Sequence, residues 1–301
     1  MLKDDEVLVR IHAASINSWD FEFLSGTPFI NRLMFGLLRP KRNKQVLGAD
    51  IAGTIEEVGE RISRFKPGDE VFGDLWDNFG GFADYACAHE DSLELKPVNT
   101  TFEEAAAVPQ AGVLALQSFR QGEKLQPGQK VLINGAGGGV GTFAIQLAKL
   151  AGAEVTGVDA AHKLDVVRST GADHVLDYAT TDFTKTGDKY DLIIDCQANK
   201  SMSDFRQALE PGGTVAIVGG PRVISLLIKS FFASLAGESR RIRLVSEGPN
   251  KGLDDLKELV ATGALIPVID KVFQFDELQK AMQYFEDGLH KGKIVVTMSC
   301  Q

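Results

Sequence analysis

The chain has 301 residues, of which 44% are hydrophobic and 24% are charged, and its formal net charge is −9 at pH 7. This composition is typical of a globular protein with either one large domain or two ordinary ones. An acidic chain without a cluster of Lys and Arg is a poor match to nucleic acid, because the phosphate backbone is bound by many cations.

The cysteines and the longest apolar stretch bear on the cellular compartment and on whether the chain spans a membrane. Cys87, Cys196 and Cys300 lie far apart and form no C-x-x-C pair, so neither a thiolate zinc site nor a disulfide framework is predicted. This usage fits a reducing compartment, and we expect a cytoplasmic protein. The longest apolar stretch, residues 223–237, is interrupted by Lys229 and predicts an amphipathic helix, not a membrane span.

The first hundred residues predict short strands separated by turns. Apolar and polar residues alternate over residues 7–11 and again over 50–59, and residues 80–89 predict a further strand. A Pro-Gly-Asp turn at residues 67–69 precedes another strand. Short strands with regular turn signals predict a compact β-rich unit or small barrel.

The pattern changes near Thr101. Thr101 is followed three residues later by Glu104, which is the spacing of a capping box at the start of a helix. From about residue 112 to 293, apolar strands alternate with helical segments. Such alternation predicts an α/β fold, with a parallel sheet covered by helices on both faces.

The string "VLINGAGGGVG", residues 131–141, joins a buried strand that ends at Asn134 to a helix that begins near Val140. In this context a glycine-rich loop allows the backbone to approach a pyrophosphate, and the helix N-terminus presents free N–H groups to the negative charge. The predicted cofactor-binding residues of the loop are Gly135, Ala136, Gly138, Gly139, Val140 and Gly141.

Asp159 ends the next strand, about 20 residues after the loop, where a dinucleotide fingerprint has an acid. A carboxylate there accepts hydrogen bonds from the ribose hydroxyls and repels a 2′-phosphate. The alternative is an Asp that caps the helix beginning at Ala160. The order of strand, loop, helix, strand and acid favours dinucleotide binding.

The sequence resembles the medium-chain dehydrogenase/reductase superfamily, in particular its zinc-independent quinone oxidoreductase-like branch. The matching strings include "VRIHAASINSWD", "LGADIAGTIEEVG", "FKPGDEVFG", "GGFADYA", "GQKVLINGAGGGVGTFAIQLAKLAGAEVTGV" and "GKIVV". The resemblance implies a GroES-like β-rich catalytic domain at residues 1–109 and 264–301. It also implies a Rossmann domain, a doubly wound parallel sheet, at residues 110–263, and a homodimer.

Zinc-using relatives carry Gly-His-Glu where this chain has Gly48-Ala49-Asp50. A catalytic zinc needs three ligands of the Cys, His or carboxylate type, and neither His12 nor His89 occupies a ligand position of the family. The resemblance therefore implies a metal-free enzyme. Without a Lewis acid, reduction of a quinone or an α,β-unsaturated carbonyl is favoured over oxidation of an alcohol.

The resemblance places Asn17 near the nicotinamide and the substrate as a hydrogen-bond donor, and the alternative is a turn Asn that closes the first strand. Asp20 and Tyr85 fit structural roles better than catalytic ones. Residues 29–45 form either a lid or a solvated loop. The predicted substrate pocket contains Asn17, Trp19, Asp50, Trp76 and Phe79, although each of the aromatic residues also fits a core position and Asp50 also fits a turn cap.

The predicted cofactor is NAD(P)H. Lys163 and Tyr178 favour NADPH, whereas Asp159 favours NADH, and we expect NADH on the strength of that carboxylate. The resemblance also places Val218 and Gly219 beside the nicotinamide and Lys293 near the cofactor.

The sequence therefore predicts an NAD(P)H-dependent oxidoreductase that transfers hydride to a small-molecule quinone or enone. Two alternatives remain open at this level. One is an enoyl-thioester reductase, and the other is a scaffold protein that binds the cofactor with little turnover.

Overall fold

A computed structural model describes residues 2–26, 46–76, 78–120, 125–220, 242–245 and 248–298. The predicted helix at residues 223–237 and the segment 29–45 lie outside the described residues.

The described elements are named here in chain order. The first part of the chain contains β1 (Glu6–Ile16), α1 (Ser18–Ser25), β2 (Asp50–Val58), β3 (Glu70–Asp74), β4 (Tyr85–His89), β5 (Leu93–Leu95), α2 (Phe102–Ala106) and α3 (Pro109–Arg120). The middle contains β6 (Lys130–Asn134), α4 (Gly139–Leu150), β7 (Glu154–Asp159), α5 (Leu164–Ser169), β8 (His174–Asp177), β9 (Tyr190–Asp195), α6 (Met202–Ala208), β10 (Leu209–Ile217) and β11 (Ile242–Leu244). The last part contains α7 (Leu253–Ala261), β12 (Ile269–Gln274), α8 (Leu278–Glu286) and β13 (Lys293–Thr297).

The chain divides into two compact units. The terminal unit combines Met1–Val113 with Gly248–Gln301, and the central unit is Leu114–Glu247. The second division between the units lies at Gly248, whereas the domain boundary predicted from the sequence is residue 264. The difference arises because α7 packs with the terminal unit, where Lys257 pairs with Glu94 and the Ala261 carbonyl accepts a hydrogen bond from Asn99.

The terminal unit is built on one sheet with strand order β12-β13-β1-β2-β3-β5, and β4 also pairs with β1. The long strand β1 alternates as predicted, so Val7, Val9 and Ile11 point into the core. Its far end pairs with β13, with Ile16 opposite Ile294. This pairing brings the two ends of the chain together and places Lys293 beside the turn that follows β1.

The central unit has a parallel sheet with strand order β11-β10-β9-β6-β7-β8. Its strands are apolar because both faces are covered, and Leu132, Val158 and Ile193 are at most 1% exposed. The order reverses between β6 and β9, and ligands of such sheets bind at this switch point. The glycine-rich loop begins where β6 ends. The predicted α/β architecture with a β-rich unit is confirmed.

Local signals in the sequence also hold in the structure. The capping box predicted at Thr101 is formed, because the Thr101 hydroxyl accepts from the Glu104 N–H and the Glu104 carboxylate accepts from the Thr101 N–H. A second box begins α1, with Asn17 and Asp20 as its partners. No described helix is both long enough and apolar enough to span a membrane.

Candidate active site

The predicted site residues form two separate groups, one in each unit. The glycine-rich loop and Asp159 belong to the central unit. Asn17, Asp50, Lys293 and the aromatic residues belong to the terminal unit.

The glycine-rich loop has the geometry of a dinucleotide loop. Gly135 leaves β6 with a φ of 90°, a left-handed conformation that favours glycine. Gly138 is the N-cap of α4, and its N–H donates to the Gly135 carbonyl. The N–H groups of the first turn of α4 have no acceptor within the helix, and Gly138 to Val140 are only half-buried. The loop therefore presents accessible N–H donors at a helix N-terminus, as an anion site requires.

The glycines of this loop serve different purposes. A Cβ at Gly141 would lie 2.2 Å from the Gly135 oxygen, so Gly141 is required for the close packing of the helix on the loop. A Cβ at Gly138 would meet only the Gly135 oxygen at 3.5 Å, an ordinary contact. Neither the backbone conformation nor local packing requires a glycine at position 138. The missing side chain leaves space at the N-terminus of α4, which fits a pyrophosphate.

Asp159 is 8% exposed and contacts the loop directly. Its Oδ2 accepts a hydrogen bond of 2.7 Å from the Gly137 N–H, and its Oδ1 accepts one of 2.8 Å from the Ala160 N–H. Both oxygens therefore bind backbone groups in this structure. Each carboxylate oxygen has a further lone pair that can accept a hydrogen bond from a ribose hydroxyl in addition to these backbone contacts.

The remaining cofactor predictions are placed as follows. Lys163 is buried next to the loop, since a Cβ at Gly137 would lie 2.8 Å from the Lys163 Cβ. Tyr178 is 63% exposed, and its backbone N–H donates to the Asp159 carbonyl. Val218 follows β10 and is half-buried, and a Cβ at Gly219 would meet no atom within 4 Å. These four residues and Asp159 all belong to the central unit.

Sequence reasoning missed a buried polar pair at the switch point. Asn134 ends β6 and Asp195 ends β9, and the Asn134 Nδ2 donates to the Asp195 Oδ1 at 2.8 Å. The Gln197 N–H donates to the same oxygen at 3.1 Å. Burial raises the pKa of Asp195. The signal for this pair was a polar residue at the carboxyl end of each apolar strand.

The terminal unit brings together three of the predicted residues. Lys293 Nζ lies 2.5 Å from the Asn17 Oδ1 and 3.4 Å from the Asp50 Oδ2. The Asn17 Nδ2 donates to the same Asp50 oxygen at 2.9 Å. The side chains of Asp50 and Lys293 are 0% and 3% exposed, so this is a fully buried ion pair. Lys293, predicted near the cofactor, thus contacts two residues of the predicted substrate pocket.

Two further buried carboxyl groups adjoin this ion pair. Asp20 accepts hydrogen bonds from the Asn17 and Gly48 N–H groups, yet burial raises its pKa to about 7. Asp74 lies opposite Asp50 across the β2–β3 pair. Burial, and then the carboxyl groups of Asp50 and Asp20, raise the pKa of Asp74 well above its usual range. Sequence reasoning gave Asp20 a structural role and did not identify Asp74.

An aromatic cluster of four rings is connected to these carboxyl groups along the chain. Trp19 packs on Trp76 with ring centroids 4.9 Å apart, and Phe23 packs on Phe79 at 5.2 Å. Trp76 and Phe79 are 5.7 Å apart. The structure therefore gathers the three predicted aromatic pocket residues, with Phe23 as a fourth member.

Phe79 holds its place in the aromatic cluster despite a strained backbone. Its φ is 57°, which a bulky side chain rarely adopts, and the residue is 3% exposed. Such a conformation costs of order 1–3 kcal/mol and is typical of functional sites.

Two other residues, Tyr85 and Cys196, are placed as follows. Tyr85 begins β4 and is 51% exposed. Burial, together with the carboxylates of Asp195 and Asp159, raises the pKa of Cys196 far above its usual value, so its thiol stays protonated and unreactive. Within the described ranges, no group of three or more His, Cys, Asp or Glu side chains has the geometry to hold a metal ion.

A dinucleotide loop in a parallel sheet, together with a β-rich unit that carries a buried polar cluster, defines a dinucleotide-dependent oxidoreductase fold. Family comparison agrees with this class. Residues 3–118 match the model described as "Alcohol dehydrogenase GroES-like domain", and residues 170–296 match the model described as "Zinc-binding dehydrogenase".

Individual relatives identify the branch of the family. The chain is 33% identical to "Quinone-oxidoreductase QR1, chloroplastic" of Triphysaria versicolor, over 97% of this chain and 89% of the relative. It is 32% identical to "2-methylene-furan-3-one reductase" of Solanum lycopersicum, over 98% and 72%. Among solved structures, the quinone oxidoreductase from Coxiella burnetii superposes with a TM-score of 0.88 at 27% identity, over 99% of this chain and 92% of that one. The chain belongs to the medium-chain dehydrogenase/reductase superfamily of NAD(P)H-dependent oxidoreductases, in its quinone oxidoreductase-like branch.

Proposed function

We propose that the protein is a zinc-independent NAD(P)H-dependent reductase of quinones or α,β-unsaturated carbonyl compounds. The observation that carries the proposal is the buried cluster of Asn17, Asp50 and Lys293, which is linked through Asp20 and Asp74 to four packed aromatic rings. Aromatic rings suit a planar conjugated acceptor, and the polar cluster supplies a hydrogen-bond donor to it. The names of the two relatives above agree with both acceptor classes.

The chemistry of Asp50 supports reduction without zinc. Its two oxygens accept hydrogen bonds from four groups, namely Ser15 Oγ, Asn17 Nδ2, Lys293 Nζ and the Gln110 N–H. A carboxylate so engaged has little capacity left for a metal ion. The ammonium group of Lys293 at 3.4 Å also repels any cation placed there.

The hydrogen bonds of the Asn17 side chain support a role in oxyanion stabilisation. An ammonium group only donates, so the amide oxygen must face Lys293 and the Nδ2 must face Asp50, which fixes the amide orientation. One Nδ2 proton binds Asp50, and the second is the donor that we assign to the oxygen of the acceptor. Such a preorganised donor contributes about 2.7–4 kcal/mol of transition-state stabilisation where it has been measured in other enzymes.

The space at Gly138 supports the glycine-rich loop of the central unit as the cofactor site. When bound, the dihydronicotinamide supplies the hydride. Val218 and Gly219 remain the residues proposed beside the nicotinamide. A cytoplasmic location and a homodimer are further proposals that rest on the sequence.

A second candidate acceptor is an enoyl thioester. The structure "Crystal structure of CurK enoyl reductase" superposes with a TM-score of 0.83 at 25% identity, over 99% of this chain and 92% of that one. It supports an activated alkene as the substrate but not a particular carrier.

Steady-state oxidation of NADH and NADPH tests the proposed function. We expect turnover with ortho- or para-quinones or with enones, at a rate that a chelator does not change and added Zn²⁺ does not raise. Turnover with enoyl thioesters alone would favour the second candidate. Tight cofactor binding without turnover of any acceptor would contradict the enzyme proposal and favour a scaffold.

We propose that NADH is the preferred cofactor, and Asp159 variants test this preference. Asp159→Ser removes the charge that repels a 2′-phosphate, so the ratio of the Kd for NADPH to that for NADH should fall at least tenfold. Because Asp159 also binds the Gly137 and Ala160 N–H groups, both affinities should weaken and the unfolding free energy should fall by about 1–3 kcal/mol.

Asp159→Asn is the matched control, since it retains the shape and one acceptor oxygen but not the charge. If the carboxylate discriminates by charge, both variants change the ratio, as measured by titrating the fluorescence of NADH and NADPH. A wild-type preference for NADPH would contradict the assignment of Asp159.

A further inference from the structure

The buried cluster of the terminal unit contains more carboxyl groups than it can hold in ionised form. Asp20 and Asp50 are 0% exposed and Asp74 is 3% exposed, and the nearby cation is Lys293, itself 3% exposed. Among the described residues, three buried carboxylates against this one ammonium group would leave two negative charges without compensation, which is very costly away from water. At least one of the three carboxyl groups must therefore carry a proton.

Hydrogen bonding identifies the carboxyl group that carries it. Asp50 accepts from four donors, which suits the ionised form. Asp20 accepts from two backbone N–H groups, which partly offset the effect of burial on its pKa, so that it gives up its proton near pH 7. The Asp74 carboxyl binds the Gln110 side chain and the Trp76 N–H, but its Oδ1 is fully buried and has no partner among the described residues. A bare carboxylate oxygen in that position would lose its hydration without replacement. The proton is therefore assigned to Asp74.

Asp74 is also well placed relative to the aromatic cluster. It is the last residue of β3, and its carboxyl accepts a hydrogen bond from the backbone N–H of Trp76, whose side chain belongs to the aromatic cluster. The backbone around Asp74 is fixed by Asn250, which donates to the Asp74 carbonyl at 2.8 Å and accepts from the Asp74 N–H at 2.9 Å. Asp74 and Trp76 are two positions apart, so the strand that holds the carboxyl group also leads directly into the aromatic cluster.

We propose that Asp74 stores a proton as a neutral carboxylic acid and delivers it to the reduced acceptor. This inference rests on the proposed function. After hydride transfer the acceptor is an anion. The O–H bond of Asp74 breaks, a new O–H or C–H bond forms on the product, and Asp74 is left as a carboxylate. A proton from solvent then restores the acid, so each turnover consumes one hydride and one proton.

The charged groups around Asp74 explain why it would release and regain this proton. Asp50 faces it from β2 and Asp20 faces it from α1, and both repel the carboxylate that delivery leaves behind. Lys293 on β13 compensates Asp50. At the other end of β3, Glu70 pairs with Lys96. The unfavourable carboxylate is thus a transient state that draws a proton back from solvent.

Infrared difference spectroscopy tests proton storage without any substrate. In the protein with NAD(P)H bound, we expect a carboxylic C=O band that persists as the pH rises past about 7, where Asp20 ionises. Asp74→Asn should remove that band. Asp195→Asn serves as the control, because Asp195 is also a buried carboxyl with a raised pKa and accounts for its own band in the central unit.

The pH dependence of kcat tests proton delivery. Asp74→Asn should lower kcat by about 10²-fold or more, leave the Kd of NAD(P)H unchanged and abolish the alkaline limb of the wild-type profile. If the Asn variant does not fold, Asp74→Glu keeps the acid and should shift the position of that limb.

A band unaffected by Asp74→Asn, or a variant with wild-type kcat and pH profile, would overturn the proposal. If the wild-type protein reduces no quinone, enone or thioester, both the proposed function and proton delivery by Asp74 are wrong. The infrared band still tests, independently of turnover, whether Asp74 holds a proton.

Discussion

Lys293→Met should lower the free energy of unfolding by about 3–5 kcal/mol, the usual effect of removing one partner of a buried ion pair. Lys293 is 3% exposed and pairs with Asp50. The neighbouring Asp20 and Asp74 are carboxyl groups, so they cannot replace its positive charge. Methionine preserves the length of the apolar stem, so the loss of stability measures the contribution of the charge and of its hydrogen bonds to Asn17 and Ile16. Equilibrium denaturation by urea measures the effect.

A second substitution separates charge from packing. In the double variant Asp50→Asn with Lys293→Met, the uncompensated carboxylate is gone, so most of the lost stability should return. Asp50→Asn alone should be destabilising, because it leaves the ammonium group buried without its counter-ion. A loss below about 1 kcal/mol for Lys293→Met would show that water or protonation of Asp50 already compensates the charge, against the hydrogen bonding seen here.

The raised pKa values of the buried carboxyl groups also predict how the stability of the protein depends on pH. A carboxyl group with a raised pKa in the folded state binds its proton more tightly when folded, so its stabilising effect is complete at low pH and is lost as the pH rises through the folded pKa. For Asp20, a change from 3.8 to about 7 corresponds to roughly 4 kcal/mol lost between those pH values. Asp182 acts in the opposite direction, because Lys200 lowers its pKa to about 2.

The sequence contained enough information for the loop and for most of the fold. The loop could be predicted because its geometry is local: it depends on the order of the glycines and on the strand and helix that flank them in the sequence. The cluster of Asn17, Asp50 and Lys293 was different. Each residue could be nominated from the resemblance, but their contact could not, because Lys293 lies 243 positions from Asp50 and reaches it only through the β1–β13 pairing.

Asp74 and the Asn134–Asp195 pair were missed for a related reason. Each is a single polar residue at the end of a short apolar strand, and such positions are also common turn residues. Their chemical character comes from complete burial and from neighbours on other strands, which no spacing in the sequence reports. A systematic inspection of the polar residue that ends each apolar strand would have nominated all three.

Asp159 has a structural contact that its sequence position does not predict. Its position at the end of β7 predicts a ribose contact, and in the structure its carboxylate binds the Gly137 N–H of the loop. The acid at this position thus links the second strand of the sheet to the glycine-rich loop. Any change in cofactor preference through this residue also changes the stability of the loop.

Gly141→Ala and Gly138→Ala should both weaken cofactor binding but should differ in their effect on stability, so this pair separates folding from cofactor binding. At position 141 a Cβ would lie 2.2 Å from the Gly135 oxygen and 2.6 Å from the Ala136 backbone, so the helix must move. We expect a loss of about 1–3 kcal/mol or more in unfolding free energy, as for other overpacked sites, and loss of NAD(P)H binding with it.

At position 138 a Cβ meets no atom closer than 3.5 Å, and the φ of −89° is open to alanine. The unfolding free energy of Gly138→Ala should change by less than about 1 kcal/mol, the scale of an N-cap substitution. The methyl group fills the space at the N-terminus of α4, so the Kd of NAD(P)H should still rise at least tenfold. Denaturation and fluorescence titration on the same samples measure both quantities. Wild-type affinity in Gly138→Ala would mean that the dinucleotide does not use this space, because a methyl group there would obstruct a pyrophosphate held by the first turn of the helix.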